Sequence, residues 1–346
     1  MALNRRAFML SAAGAAMWPR HSRASRTITD SAKRTVTLPD RIGRVFAAGS
    51  PASAALYVMK PDAMVGWIRA PRGEERPYIT PAQRDLPALG QLTGRGDTAN
   101  VEVVLQAKPD LVLDFGSVRD TFVSLANSVQ ERTGVPYVLI DGRFDATVTG
   151  FRLLGGVLGV PERGEALARH TETLFARLES TLASIPTEQR PRVYLARGSE
   201  GLETGLKGSI NTEIIERAGG RNVAESGDAR RGIVNVSPEQ LLLWNPEIIV
   251  TWDRNFHARI QKGDDSLWKG IKAVRDGRVY LAPTAPFGWI DGPPSVNRLI
   301  GLPWLANAFH GERFAFDIRN DTRAFYKLFY HVDISDADLQ TLVGRF

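Results

Sequence analysis

Compact apolar runs alternate along this chain with stretches of helical period. Residues 44–48 read as a short strand closed by Gly49-Ser50-Pro51, and 52–59 as the helix that follows. A second strand is expected over 64–68 and a helix over 101–107. Pro109 punctuates that helix before the buried strand 111–115. Residues 121–131 predict a helix ending near Gly134, and 135–140 the next strand. From Pro161 the pattern changes. No Gly or Pro interrupts the chain between Gly164 and Pro186, and Leu167, Leu174, Leu178 and Leu182 recur on one helical face. Pro161 suits a first helical turn, and Glu162 and Glu165 suit its positive end. The earlier rhythm then restarts, with strands at 192–196, 246–251 and 277–281 and helices at 211–218, before 244 and from Ser295 onward.

Two segments echo each other across the long helix. Residues 103–113 and 239–250 each run as apolar helix, polar-Pro-acidic turn and apolar strand, centred on Lys108-Pro109-Asp110 and Asn245-Pro246-Glu247. Strand–helix alternation of this kind makes a largely parallel sheet covered on both faces. The expected organisation is an N-terminal α/β lobe over 35–160, a connecting helix over 161–186 and a C-terminal α/β lobe over 187–346. Two such lobes enclose a cleft, a favoured place for a ligand.

Composition removes several alternatives. The chain has 346 residues, no cysteine, 43% hydrophobic residues and 24% charged residues. Its mean hydropathy is -0.18. Those values argue against a multi-span membrane protein and against disorder. The absence of thiols excludes zinc-thiolate sites, iron–sulfur clusters and thiolate catalysis. The formal charge of +6 is concentrated at the start of the chain. There Arg5-Arg6 precede the apolar run Phe8 to Trp18, and Ser22-Arg23-Ala24 follows as a small-x-small cleavage site. This order is that of an export signal over 1–24, of twin-arginine type, directing the protein to the periplasm. Cleavage after Ala24 removes four arginines and leaves about +2, with basic residues too scattered for a nucleic-acid footprint. No phosphate loop, dinucleotide glycine fingerprint, zinc-protease helix or nucleophile elbow is present. The histidines are far apart in sequence, so neither a metal-ligand set nor a catalytic set is assigned.

In their order and spacing, several segments together resemble the periplasmic binding proteins that serve ABC importers of iron-siderophore, haem, cobalamin and related metal chelates. They are Val45 to Pro51, Leu89-Gly90, Asn100-Val101-Glu102, Lys108 to Val112, the long helix, Asn211 to Asn222, and Ser237 to Leu241 ahead of Asn245 to Val250. The likeness covers roughly residues 35 to 330. It implies two Rossmann-like α/β lobes bridged by one long helix, with the ligand cleft between them. It also implies a monomer that binds without turnover and passes its metal chelate to an inner-membrane permease with a cytoplasmic ATPase. Glu213 matches the C-lobe glutamate that such proteins offer to the permease, whereas the corresponding N-lobe position falls on Ala54 or Ala55. An iron-siderophore is the first expectation for the cargo, ahead of nickel, corrinoid or haem complexes. An exported ligand sensor or a small-molecule enzyme are the alternative roles.

Ligands of α/β sheets sit beyond the carboxyl ends of strands. That rule selects Ser50, Trp67, Arg69, Phe115, Ser117 and Arg119 in the N-lobe. In the C-lobe it selects Arg197, Lys207, Trp252, Arg254, Phe256, His257 and Trp289. Arginines suit anionic oxygens through their planar fork of donors, and the aromatic rings suit flat apolar ligand surfaces. The run Trp252 to His257 is read as a ligand-facing loop, and Pro286 to Gly301 as an aromatic loop that presents Trp289 before a helix capped by Ser295. Residues 71–87 are an irregular insertion near the ligand or the permease.

Overall fold

The computed structural model describes residues 25–94, 100–225, 232–263, 265–311 and 316–344. The expected export signal, 1–24, lies outside them. Strands β1 (Ser25–Thr29) and β2 (Thr35–Pro39) form an antiparallel hairpin. Then come β3 (Val45–Ala47), α1 (Ser50–Met59), α2 (Val101–Ala107), β4 (Leu111–Gly116), α3 (Asp120–Thr133), β5 (Tyr137–Asp141) and α4 (Phe144–Leu158). Their sheet is parallel, in the order β3-β4-β5. The spine helix α5 is Pro161–Leu182.

The second lobe carries β6 (Arg192–Ala196), β7 (Glu203–Gly205), α6 (Glu213–Arg217), β8 (Arg221–Asn222), β9 (Ile233–Asn235), α7 (Pro238–Trp244) and β10 (Ile248–Thr251). It continues with α8 (Arg254–Lys262), α9 (Ser266–Lys269), α10 (Lys272–Arg275) and β11 (Val279–Leu281). Its parallel sheet runs β11-β10-β6-β8, with β7 and β9 paired beside it. Helices α11 (Arg298–His310), α12 (Ile318–Tyr330) and α13 (Asp336–Val343) end the described chain.

The echo between the lobes is structural. Both α2 and α7 have an N-cap side chain, Asn100 on the Val103 amide and Ser237 on the Gln240 amide. Both end on a left-handed residue that is not glycine, Lys108 at φ 46° and Asn245 at φ 38°. Each helix is thereby stopped and turned into a buried strand within a few residues. The segment 64–68 departs from the expected strand. It makes only isolated bridges, Val45 to Met64 and Trp67 to Ala88. It still runs parallel to 87–90, with the Trp67 amide donating to the Pro87 carbonyl and the Leu89 amide to the Trp67 carbonyl, both at 2.8 Å. At Gly66 the two backbones are so close that an added Cβ would lie 2.6 Å from the Pro87 carbonyl oxygen. Helix α4 was not anticipated, because Gly150, Gly155 and Gly156 mask its period. Those glycines have a packing use. A Cβ on Gly155 would fall 2.9 Å from the Gly164 Cα, so α4 and α5 meet backbone to backbone.

The two lobes share one continuous apolar core, which contains Leu113 and Val138 from the first sheet and Val193 and Ile248 from the second. The C-terminal helices return to the first lobe: the Tyr57 hydroxyl donates to the Tyr330 carbonyl at 2.8 Å, and Phe151 meets Phe329 edge-on at 6.1 Å. A charged contact joins the lobes at their other end. Arg298, 1% exposed, donates to the Gly142 carbonyl at 2.9 Å, the Ile210 carbonyl at 2.6 Å and Glu213 Oε1 at 2.9 Å. Its guanidinium lies 4.3 Å from the Phe144 ring centre, and Glu213 Oε1 also accepts the Phe144 amide.

Removing one partner of a buried, hydrogen-bonded ion pair strands the other and costs about 3–5 kcal/mol. Arg298→Ala is therefore expected to lower the urea unfolding free energy by about that amount. A loss below about 1 kcal/mol, the worth of an exposed pair, would show that the contact is not structural.

Candidate functional site

A cleft of about 980 Å³ opens between the lobes, at the carboxyl ends of both parallel sheets. Strand register explains its aromatic walls. Val45 pairs with Leu111 in one lobe and Val193 with Ile248 in the other. The residue four positions beyond each second partner is Phe115 and Trp252, and both line the cleft. The C-lobe loop adds Phe287, whose ring lies 6.2 Å from both Tyr57 and Trp67 and 5.7 Å from Tyr330. Trp67 is fixed by donating Nε1–H to the Gln83 carbonyl at 2.7 Å.

Nine of the thirteen ligand residues expected from sequence line this cleft: Ser50, Trp67, Arg69, Phe115, Ser117, Arg119, Arg197, Trp252 and Arg254. The other four do not. The stretch after Trp252 is not a loop, because Asp253 caps α8 by accepting the Phe256 amide at 2.9 Å. The helix turns Phe256 into the core, edge-on to Trp268 at 4.7 Å, and leaves His257 half-buried away from the cleft lining. Lys207 is exposed and pairs with Glu225. Trp289 is 0% exposed and donates to the Tyr326 hydroxyl at 3.2 Å, a core role. Ser295 does not cap the next helix. Its hydroxyl donates to the Pro51 carbonyl at 2.7 Å, joining the lobes beneath the cleft. Glu213, the expected permease contact, accepts from Arg298 and the Phe144 amide through Oε1 and keeps its side chain 22% exposed.

Charge is distributed unequally over the site. Arg69 pairs with Glu75, and Arg197 with Asp291 and Glu203. Arg197 also lies 5.0 Å over the Trp252 ring. Asp291, 1% exposed, further accepts from the Gly292 amide at 2.8 Å and twice from Asn211 at 3.1 Å. Burial raises its carboxyl above the ordinary range, and Arg197 opposes that shift. Neither Asp291 nor Asn211 was singled out from sequence, although Asp291 sits in the loop already marked for Trp289. Arg72, Arg119 and Arg254 differ from these committed arginines. They are exposed on the cleft margins, and none forms an ion pair among the described residues. Among the described residues, the only face contact of the three is Arg119 over Phe122, at 5.4 Å.

Asp114 is a buried carboxyl in the N-lobe wall, 6% exposed. It accepts the Phe115 amide at 2.9 Å and the Tyr137 hydroxyl at 3.1 Å, with a further bond from Thr93. Desolvation outweighs these donors and pushes its pKa up to about 6.

Fold and cleft together define a two-lobed solute-binding protein with its cleft between the α/β lobes. Comparison with known proteins narrows the class. Residues 48–286 match the family model described as periplasmic binding protein. An ABC transporter solute binding protein from Sulfurospirillum deleyianum superposes with a TM-score of 0.83 at 30% identity, over 92% of this chain and 98% of that one. The molybdate-binding protein MolA of Haemophilus influenzae is 27% identical over 334 residues, 89% of this chain and 91% of its own. Its molybdate-bound structure gives a TM-score of 0.72 at 25% identity, over 90% and 99% of the two chains. The cobalamin-binding protein of Halobacterium salinarum is 28% identical over 300 residues, 82% of this chain and 74% of its own. The chain belongs to the periplasmic binding protein family, as a periplasmic solute-binding component of an ABC importer for ligands of the metal-chelate type.

The raised pKa of Asp114 has a definite sign. The native state binds this proton more tightly than the unfolded chain, whose carboxyl keeps its ordinary value of 3.8. The stabilisation is complete below pH 4 and is lost as pH rises through about 6. Asp114→Asn imitates the protonated form. Between pH 4 and pH 7 its stability relative to the parent is expected to improve by up to about 3 kcal/mol. Parallel urea-derived stability profiles for the two proteins would contradict this account.

Proposed function

We propose that the cargo is a metal chelate of iron-siderophore type whose outer surface carries anionic oxygens and flat apolar faces. The observation that carries the reading is the combination of a cleft of about 980 Å³, where the half-buried rings of Trp252 and Phe287 are backed by buried Phe115 and Trp67, with three marginal arginines that form no ion pair among the described residues. The volume lies in the range of sites that bury a whole small organic molecule. Guanidinium groups at Arg119 and Arg254 suit catecholate, hydroxamate or carboxylate oxygens on the outside of such a complex. In this reading the mature chain is a monomer exported through the twin-arginine route, and it delivers its chelate to the permease without chemical change.

A bare oxyanion is the second reading, favoured by the similarity to a molybdate-binding protein over 89% of this chain. An oxyanion would occupy one corner of the cleft and leave its aromatic walls without a partner.

Isothermal titration of the mature protein with ferric enterobactin, ferric citrate, haemin, cobalamin and sodium molybdate separates the two. The siderophore reading expects ferric-chelate binding that Arg119→Ala and Arg254→Ala each weaken about 10-fold or more, the loss of one charge-assisted contact. Binding of molybdate alone, or ferric-chelate binding untouched by both variants, would reject it.

A further inference from the structure

The first turn of α1 opens on the cleft. Ser50, Pro51 and Ser53 all line it. The helix is ten residues long, and its N-cap, Gly49, offers no side chain to the free amides. Among the described residues, neither Ser50 nor Ala52 finds an acceptor for its amide, and Pro51 has none to offer. A second observation concerns Ser53. It is 3% exposed, it faces the cleft, and its hydroxyl has no hydrogen-bond partner. A buried hydroxyl without a partner is unusual, because native structures satisfy nearly all of them. Here it stands beside the positive end of a helix, where the peptide dipoles favour negative charge.

The neighbours agree with that polarity. The Ser50 hydroxyl donates to Gln91 Oε1 at 3.2 Å, and Thr93 packs so closely on Gly49 that a Cβ there would meet its Oγ1 at 2.4 Å. Thr93 donates to Asp114, the one carboxylate beside this turn, which also receives the Tyr137 hydroxyl and the Phe115 amide. Burial outweighs these donors and raises its pKa to about 6, so below that pH the carboxyl is mostly neutral and opposes an anion here only weakly.

We propose that the α1 N-terminus, with the Ser53 hydroxyl, is a subsite for one anionic oxygen group of the ligand, either a carboxylate of a chelate or an oxo group of an oxometallate. This assignment rests on the solute-binding reading and adds to it a recognition point that is separate from the marginal arginines. The Ser53 hydroxyl and the Ser50 amide donate to the ligand oxygen.

The test is isothermal titration of sodium molybdate and of ferric citrate into the mature protein and its Ser53→Ala and Ser50→Ala variants, with ferric enterobactin as the carboxylate-free comparison. Ser53→Ala deletes only a partnerless hydroxyl, so the melting temperature of the empty variant is expected to be unchanged or higher. Binding of the probe that the parent accepts is expected to weaken about 10-fold in Ser53→Ala, the worth of one hydrogen bond to a charged oxygen. Loss for molybdate identifies an oxo group as the occupant, and loss for ferric citrate a carboxylate. Equal affinity in parent and Ser53→Ala overturns the subsite and leaves the importer reading standing. So does binding of ferric enterobactin alone, weakened by Arg119→Ala but not by Ser53→Ala. A parent that binds none of the three probes rejects both the subsite and the siderophore reading.

Discussion

The arrangement of this protein depends on one buried guanidinium. Arg298 reaches from the start of α11 to the Gly142 carbonyl in the other lobe and to Glu213, which itself holds the Phe144 amide. A charge this deep is tolerable only when its donors are met, and here the acceptors are backbone carbonyls and a carboxylate set by three different segments. Moving one lobe relative to the other would break several of these bonds at once. The shared core, the Tyr57 bond to Tyr330 and the Ser295 bond to Pro51 act in the same direction. All of these contacts oppose movement of one lobe against the other.

A cleft built this way has consequences for its charges. Arg69 and Arg197 line the cleft where sequence reasoning expects ligand donors, yet each is already bonded to buried or half-buried carboxylates. A guanidinium held by two acids keeps its geometry, but it has little net charge to offer an anion. Long-range attraction falls instead to Arg72, Arg119 and Arg254 on the margins, where water screens each one and their separation matters less than their number. The inner walls contribute flat apolar surface and neutral hydroxyls, which favour fit over charge.

How much of this could be read from the sequence divides along a physical line. Local signals survived. The Lys108-Pro109 and Asn245-Pro246 turns announced the two strands that follow them, and the uninterrupted leucine period announced α5. Positions at or just past strand ends were legible for the same reason, and Phe115, Arg119, Trp252 and Arg254 all lie on the cleft lining. Whatever depended on long-range packing was hidden. Helix α4 carries glycines because α5 presses on it, and glycines look like loop residues when the partner is unknown. Trp289 and Phe256 have the same chemistry as Trp252, and only the fold decides which ring faces the cleft and which the core. Arg298 looked like one more basic residue on a helix. Nothing nearby in sequence shows that its acceptors lie at Gly142 and Ile210.

The two lobes share a plan but not a chemistry. Register places Phe115 and Trp252 at matching points, so each sheet contributes one aromatic wall. The same register sets Gly49 of the N-lobe against Arg197 of the C-lobe, each four residues beyond the paired valine. At the first position a bare turn admits the end of a helix and its hydroxyls. At the second a large cation needs two acids and an indole to hold it. A ligand seated between them meets similar apolar faces on both sides and different polar groups behind each. That asymmetry gives a pseudo-symmetric cleft the means to fix one orientation of its cargo, because turning the ligand over exchanges neutral donors for a neutralised ion cluster.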